Sequence, residues 1–128
     1  MVDGDGLPLR LVVSPGQASD KAVVPALIDG LPPARDVVAD RGYDARAVLE
    51  TIEATGARGH IPTQRDRTDQ RSVDRRLYRQ RNRVERFFNK IKHFRRIATR
   101  FDKLARNYLA AVLLASIRIR LRAYESTT

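Results

Sequence analysis

Cysteine is absent from these 128 residues, which excludes disulfides and thiolate metal sites and fits a reducing compartment. A basic leader followed by an apolar run is also missing, because the N-terminus reads MVDGDGLPLR and lacks the signal-peptide pattern. The longest apolar run, 108–117, is interrupted by Ser116 and is too short to span a bilayer, which takes about 20 residues. No internal repeat and no long low-complexity tract is present. The two histidines, His60 and His93, fall in no evident acid–base pairing, which leaves little support for a ribonuclease-type toxin. The expectation is a cytoplasmic protein with no membrane partner.

What the chain has in excess is positive charge, and it is unevenly placed. Net charge is +10. Residues 1–60 hold 6 Lys/Arg against 9 Asp/Glu, a balance of −3, whereas residues 61–128 hold 19 against 6, a balance of +13. Such asymmetry points to a polyanion, with nucleic acid as the leading candidate. A solvated basic surface would carry the same signature. The length suits one domain, and 42% hydrophobic residues suffice for a modest core.

Read in order, Gly4-Asp5-Gly6 forms a turn and Leu7–Val13 (LPLRLVV) predicts a strand, with Pro8 tolerable at an edge. Ser14-Pro15-Gly16 closes it. Ser19 or Asp20 caps a short helix through Ile28, kinked or restarted at Pro25. Gly30 with Pro32-Pro33 ends that element. Asp36–Asp40 (DVVAD) suits a short buried parallel strand, with Asp40 at its carboxyl end and Gly42 permitting a sharp exit. Asp44 caps a helix through Thr55, with Val48, Leu49 and Ile52 inward and Gly56 as its stop. His60 and Ile61 form a further brief strand closed by Pro62. The polar stretch 64–74 is a loop or mobile segment. One helix follows from about Asp74 to Arg96, and a last one from about Asp102 or Lys103 to Ala123. The last helix is apolar all round between Leu109 and Ile117, a pattern normal for burial against a sheet. The element order is that of an α/β fold, divided into 1–62, a polar loop 63–74, and 75–128.

The helix beginning YRQRNRVERFFNKIK (Tyr78–Lys92) holds the most information. At about 100° per residue, Tyr78, Arg81, Glu85 and Lys92 share one stripe roughly 60° wide. Val84, Phe87, Phe88, Ile91 and Phe94 form an apolar stripe beside it. Arg79, Arg83, Arg86 and Lys90 fill a basic face. Glu85 and Asp40 are carboxylates of the type that hold Mg²⁺ or Mn²⁺ against phosphate oxygens. By pattern alone, an Asp after a strand is as readily a cap, and a helical Glu a solvated charge.

The spacing Y-x2-R-x3-E-x6-K at Tyr78, Arg81, Glu85 and Lys92 resembles the signature of bacterial insertion-sequence DDE transposases. ADRGYD (Ala39–Asp44) is similar to the second-aspartate block of that family, and RNRVERFFNKIKHFRRIATRFDK (Arg81–Lys103) to its glutamate block. DGDGLPLRLVVSPGQASD (Asp3–Asp20) resembles the strand and loop preceding them. The resemblance covers essentially the whole chain. It implies an RNase H-like catalytic core, with Asp40 as the second acid and Glu85 as the third. Together with a first aspartate, these acids would hold two Mg²⁺ or Mn²⁺ ions for DNA strand cleavage and transfer. Arg81 and Lys92 would then contact DNA phosphates and Tyr78 a base or the backbone, with Arg83, Arg86 and Lys90 as further DNA-binding residues.

The family's first aspartate lies upstream of the block that begins at Asp3, so the core is expected to be incomplete on its N-terminal side. Asp3 and Asp5 read as turn formers. A split gene, a decayed remnant and a truncated frame each account for the departure. The expected partners are transposon-end and target DNA, an upstream-frame transposase polypeptide, and further copies when active. The alternative is a non-enzymatic DNA-binding remnant.

Overall fold

The apolar run after Arg35 does form a strand. In the computed structural model, which describes residues 1–12, 14, 19–92 and 105–127, β1 (Asp36–Val38) pairs in parallel with β2 (Arg58–His60). Asp36 lies opposite Arg58, and Val38 opposite His60. The two strands are joined through α2 (Arg46–Glu53), giving a β–α–β element. Both strands are half-buried rather than buried, because a two-stranded sheet covered by a single helix leaves much of its surface to water. The chain falls into two compact units, Ser14–Arg81 and the pair Met1–Val13 with Asn82–Thr128.

In the Ser14–Arg81 unit, Ser19 caps a 3-10 turn at Asp20–Val23, its hydroxyl accepting from the Lys21 amide. The chain continues as α1 (Val24–Ile28) with Pro25 in its first turn, where a missing N–H has no consequence. The core is Val24, Val48, Ile52, Ala57 and Ile61, with Leu49, Val37 and Tyr43 packed on it. Val48, Leu49 and Ile52 thus turn inward, as their spacing requires. β2 approaches α2 closely at Gly59, where a Cβ would lie 2.9 Å from Leu49 Cδ2.

Asp44 corrects the sequence expectation. The residue preceding α2 is Ala45, which has no capping side chain, and Asp44 is instead fully buried. Its Oδ2 accepts from the Gln64 amide (2.8 Å) and faces Arg67 Nε at 3.2 Å, and its Oδ1 accepts from Arg71 Nη2. Arg71 also donates to the Ile61 carbonyl, and the Arg71 amide donates to Thr63 Oγ1 (2.8 Å). The polar stretch after Pro62 is therefore a loop, as expected, but one tied to a buried carboxylate. Desolvation pushes the Asp44 carboxyl upward. The hydrogen bonds from Arg71 and the Gln64 amide and the charges of Arg71 and Arg67 outweigh it, and the net shift is below the usual carboxylate range.

Leu7–Val13 is not a strand over its described residues. Its contact is one antiparallel bridge, Val2 with Pro8, framed by Asp3 N–H to Leu7 O (2.8 Å) and Leu9 N–H to Met1 O (3.0 Å). Pro8 has no N–H to extend the ladder. Asp3 acts as a turn former, its Oδ1 accepting from the Asp5 and Leu7 amides. Val13 and the turn residues Pro15 and Gly16 lie outside the described residues.

The expected single helix from Asp74 is divided. Asp74 caps α3 (Arg75–Tyr78), accepting from the Arg76 and Leu77 amides. A 3-10 turn at Arg79–Arg81 follows, and then α4 (Asn82–Lys92). Arg75, Arg79 and Arg83 succeed one another at four-residue spacing, a like-charge repulsion that weakens a regular α-helix there. The expected extension to Arg96, with His93 and Phe94, lies outside the described residues.

The unit of 1–13 and 82–128 is held by α4 against α5 (Ala105–Thr127). Phe87 and Ile91 meet Val112 and Ala115, with Val2, Leu11, Ala111 and Ile119 packed alongside. Phe88 departs from the expected apolar stripe and is 48% exposed. The 117–122 segment (IRIRLR), whose alternation would also suit a strand, is helical. The predicted start of α5 at Asp102 or Lys103 lies outside the described residues. α5 is not buried all round, since Leu114 is 69% and Tyr124 70% exposed. No helix among the described residues is long and apolar enough to cross a membrane.

Asp44→Ala should lower the unfolding free energy by about 2–3 kcal/mol in urea titration, because it strands Arg71 and the Gln64 amide. Since folding holds the Asp44 carboxyl below its usual range, its stabilisation is complete above the ordinary pKa of about 4 and is lost as pH falls through the depressed value. The urea midpoint should therefore fall on acidification, and fall less in Asp44→Asn.

Candidate nucleic-acid and metal site

Asp40 follows β1 directly, after Ala39, whose N–H still donates to the His60 carbonyl (3.2 Å). It begins a 3-10 turn at Arg41–Tyr43, with Oδ1 accepting from the Gly42 amide at 2.8 Å. A Cβ at Gly42 would stand 2.9 Å from that same oxygen, so the close approach requires glycine. Oδ2 lies 3.9 Å from Arg81 Nη1, and the Asp40 side chain is 47% exposed. The capping and ligand readings of Asp40 are compatible in one geometry, because the cap uses one oxygen and the other faces solvent and a guanidinium.

Arg81 also lies over the Tyr78 ring, with Cζ 5.8 Å from its centroid, a cation–π distance. Asp40, Arg81 and Tyr78 thus form one chain of contacts within the Ser14–Arg81 unit. The neighbouring Tyr43 has its phenol pushed up by burial and by the charges of Asp20 and Asp40. Arg41 is turned away, donating from Nε to the Thr63 carbonyl (3.2 Å).

Glu85, Lys92, Arg83, Arg86 and Lys90 all belong to α4, in the other unit. Glu85 and Lys92 are exposed and two turns apart on one stripe. Arg83, Arg86 and Lys90 line a cleft of about 290 Å³ together with Asp5, Gly6 and the edge of Phe87. Arg83 lies along the N-terminal turn, since a Cβ at Gly6 would sit 3.7 Å from its Cβ and one at Gly4 3.8 Å from its Nη1. The basic face is therefore partly concave. That concavity is invisible in the helical pattern, because residues 5 and 6 supply its other wall.

A second pairing was missed from sequence. His60 Nε2 hydrogen-bonds Asp36 Oδ1 at 2.8 Å, correcting the expectation that neither histidine has an acid partner. Arg58 Nε stands 3.4 Å from the same oxygen. The His60 hydrogen bond leads in drawing the Asp36 carboxyl below its usual range, against a desolvation effect and with help from Arg58, the charge of His60, and Arg35. Its only sequence signal is alternation, which puts 36 with 38 and 58 with 60 on common strand faces. The diagonal contact needed the register.

Among the described residues, no group of three or more His, Cys, Asp or Glu side chains is positioned to hold a metal ion. By donor type each of Asp40 and Glu85 suits a hard divalent cation, and the two belong to different units. His60 and Asp36 satisfy one another.

Comparison with known proteins bears on the family of the chain. No solved structure matches the chain. A protein of Brucella ovis, named as a transposase for insertion sequence element IS6501, is 39% identical over 126 residues, and the match covers 95% of each chain. Residues 1–119 match the family described as the Transposase DDE domain. With a family match over most of its length and a relative at that identity, the chain belongs to the insertion-sequence DDE transposases.

Proposed function

We propose that this chain is the part of an RNase H-like transposase core that carries its second and third acids, Asp40 and Glu85. On this reading these residues act in the cytoplasm on transposon-end and target DNA, as an oligomer, together with a first acid that is not among them. The observation that carries the reading is Asp40 at the carboxyl end of β1, half-exposed and fixed by the Gly42 amide. In open sheets with parallel strands, chemistry gathers at strand carboxyl ends.

Asp40 and Glu85 would hold Mg²⁺ or Mn²⁺, which supply an activated water and stabilise the departing 3′-oxygen of a phosphodiester. The residues around them have their own tasks. The Gly42 amide sets the Asp40 carboxylate, leaving Oδ2 outward. Arg81, stacked against Tyr78, presents a planar donor fork suited to a phosphate. Lys92 offers a point charge on the Glu85 stripe. Arg83, Arg86 and Lys90 add a basic cleft along which a phosphate backbone would run. On this account Asp40 and Glu85 are two of three acids, and cleavage needs the first as well.

In a cleavage assay that includes the first acid, Glu85→Ala should abolish transposon-end cleavage, by about 10³-fold or more, while DNA affinity stays within about threefold. Cleavage at the wild-type rate would remove Glu85 from the active site. Asp40→Asn keeps an oxygen for the Gly42 amide, so its unfolding free energy should stay within about 0.5–1 kcal/mol of wild type, with cleavage lost. A second reading, a non-enzymatic DNA-binding remnant, draws on the basic cleft. Both readings expect affinity to fall steeply with salt, with a log–log slope near −3 if three phosphates are contacted. Only the remnant predicts no cleavage in any combination.

A further inference from the structure

The basic cleft beside α4 does not end at Lys90. Lys90 also lines a larger groove of about 730 Å³, whose walls include Leu7 and, on α5, Arg118, Ile119, Arg122 and Ala123. This groove and the cleft of Asp5, Gly6, Arg83 and Arg86 lie in the same unit and meet at that lysine. At about 100° per residue, Arg83, Arg86 and Lys90 share a stripe roughly 60° wide on α4. Arg118 and Arg122 stand one turn apart on α5, about 6 Å along its axis. Leu7, Ile119 and Ala123 give the groove an aliphatic floor beside this cationic rim.

The arginines of this part of α5 are not alike. Arg120 is committed to structure, donating to the Pro8 carbonyl at 2.6 Å and standing 3.9 Å from Asp3 Oδ2. Arg118 and Arg122 lie about 160° round the helix from it. Both are exposed, as is Lys90, and among the described residues none of the three has a carboxylate within ion-pair distance. The core contacts of the helix are made by Val112, Ala115 and Ile119, so neither guanidinium contributes to them. Like charges gathered along one groove repel one another unless an anion lies between them.

Charge and lining together select the occupant. A row of cations complements a row of phosphates, and DNA is the polyanion on which transposases act. Among the described residues no aromatic ring lines the groove, so it lacks the stacking platform of single-strand sites. Cations over aliphatic carbon suit phosphate and sugar, contacts that position a duplex without reading its sequence.

We infer that Arg118 and Arg122 of α5 continue the phosphate track of Arg83, Arg86 and Lys90, so that the groove holds the backbone of duplex DNA whatever its sequence. The inference deepens, and rests on, the reading that the basic cleft of α4 follows a phosphate backbone. It involves neither Asp40 nor Glu85 and needs no metal.

The test is fluorescence anisotropy of the full chain with two labelled duplexes of unrelated sequence and equal length, in EDTA, from about 50 to 200 mM salt. Each phosphate contact contributes about 0.9 to the slope of log affinity against log salt, so Arg118→Ala with Arg122→Ala should make that slope shallower by about 1.8. Affinity at the low-salt end should fall on the order of tenfold or more, equally for both duplexes. Circular dichroism should be unchanged, because alanine at exposed helical positions keeps helix propensity. Arg118→Lys with Arg122→Lys retains the charges and should hold the slope within about 0.5 of wild type. Arg35→Ala with Arg46→Ala removes the same charge from exposed positions of the other unit and should also hold it within about 0.5. A slope unchanged by the Arg118 and Arg122 alanine pair, a loss confined to one duplex, or an equal loss from the Arg35 and Arg46 pair overturns the inference. Arg83→Ala with Arg86→Ala judges the cleft separately. If that pair alone flattens the slope, the reading of α4 stands and its extension to α5 falls; if neither pair does, both fall.

Discussion

A carboxylate taken out of water is stable only if hydrogen bonds and opposite charge replace its hydration, and the Ser14–Arg81 unit is arranged to do this for Asp44. The replacements come from the Gln64 amide, Arg67 and Arg71, residues that have no apolar contribution of their own to the core. Because Arg71 also reaches the Ile61 carbonyl, the chain leaving β2 is turned back over the start of α2. The Arg41 side chain and carbonyl join the same network through Thr63 and Gln64. The 3-10 turn that Asp40 caps is therefore anchored at its first residue by the loop that Asp44 organises. The exposed carboxylate is held in place by the buried one.

This arrangement divides the work between two acids four residues apart. Asp44 sits where ionisation is enforced by donors on several sides and serves packing. Asp40 keeps one oxygen for the backbone and one for solvent and Arg81, the distribution expected of a group that exchanges partners. A side chain with both oxygens engaged and no exposed surface, as at Asp44, is a poor candidate for chemistry, however deep its pocket. Asp36, with His60 and Arg58 on Oδ1 and Arg35 Nε 3.8 Å from Oδ2, is likewise engaged on both oxygens.

What was legible in the sequence was what is decided locally. DVVAD between turn signals marks a strand with an acid at its end, and the inward spacing of Val48, Leu49 and Ile52 holds in the core. Asp44 was misread because an aspartate just before a helix has the same local pattern whether it caps or is buried, and its partners lie 20 and 27 residues away. His60 was missed because sequence alternation assigns faces but not register. LPLRLVV has strand propensity, but over its described residues it meets Val2 in one bridge at Pro8, which has no N–H to extend the ladder. The all-round apolar pattern of α5 specifies a helix with two sides to cover, and covering depends on what else is present. Of the candidate site, the strand-end position of Asp40 and the shared stripe of Glu85 and Lys92 were readable. The concavity beside Arg83, Arg86 and Lys90 was not, because it is made with Gly6 and Asp5.

The missing Cβ at residue 42 ties two positions together in space. The volume an alanine methyl would need is already taken by the carboxylate oxygen of Asp40, and the flexible partner is the one that would yield. A single base change at that codon would swing the acid out of place while the buried network around Asp44 kept the unit folded. A substitution at 42 would therefore be felt first in the aim of one half-exposed carboxylate and last in the fold.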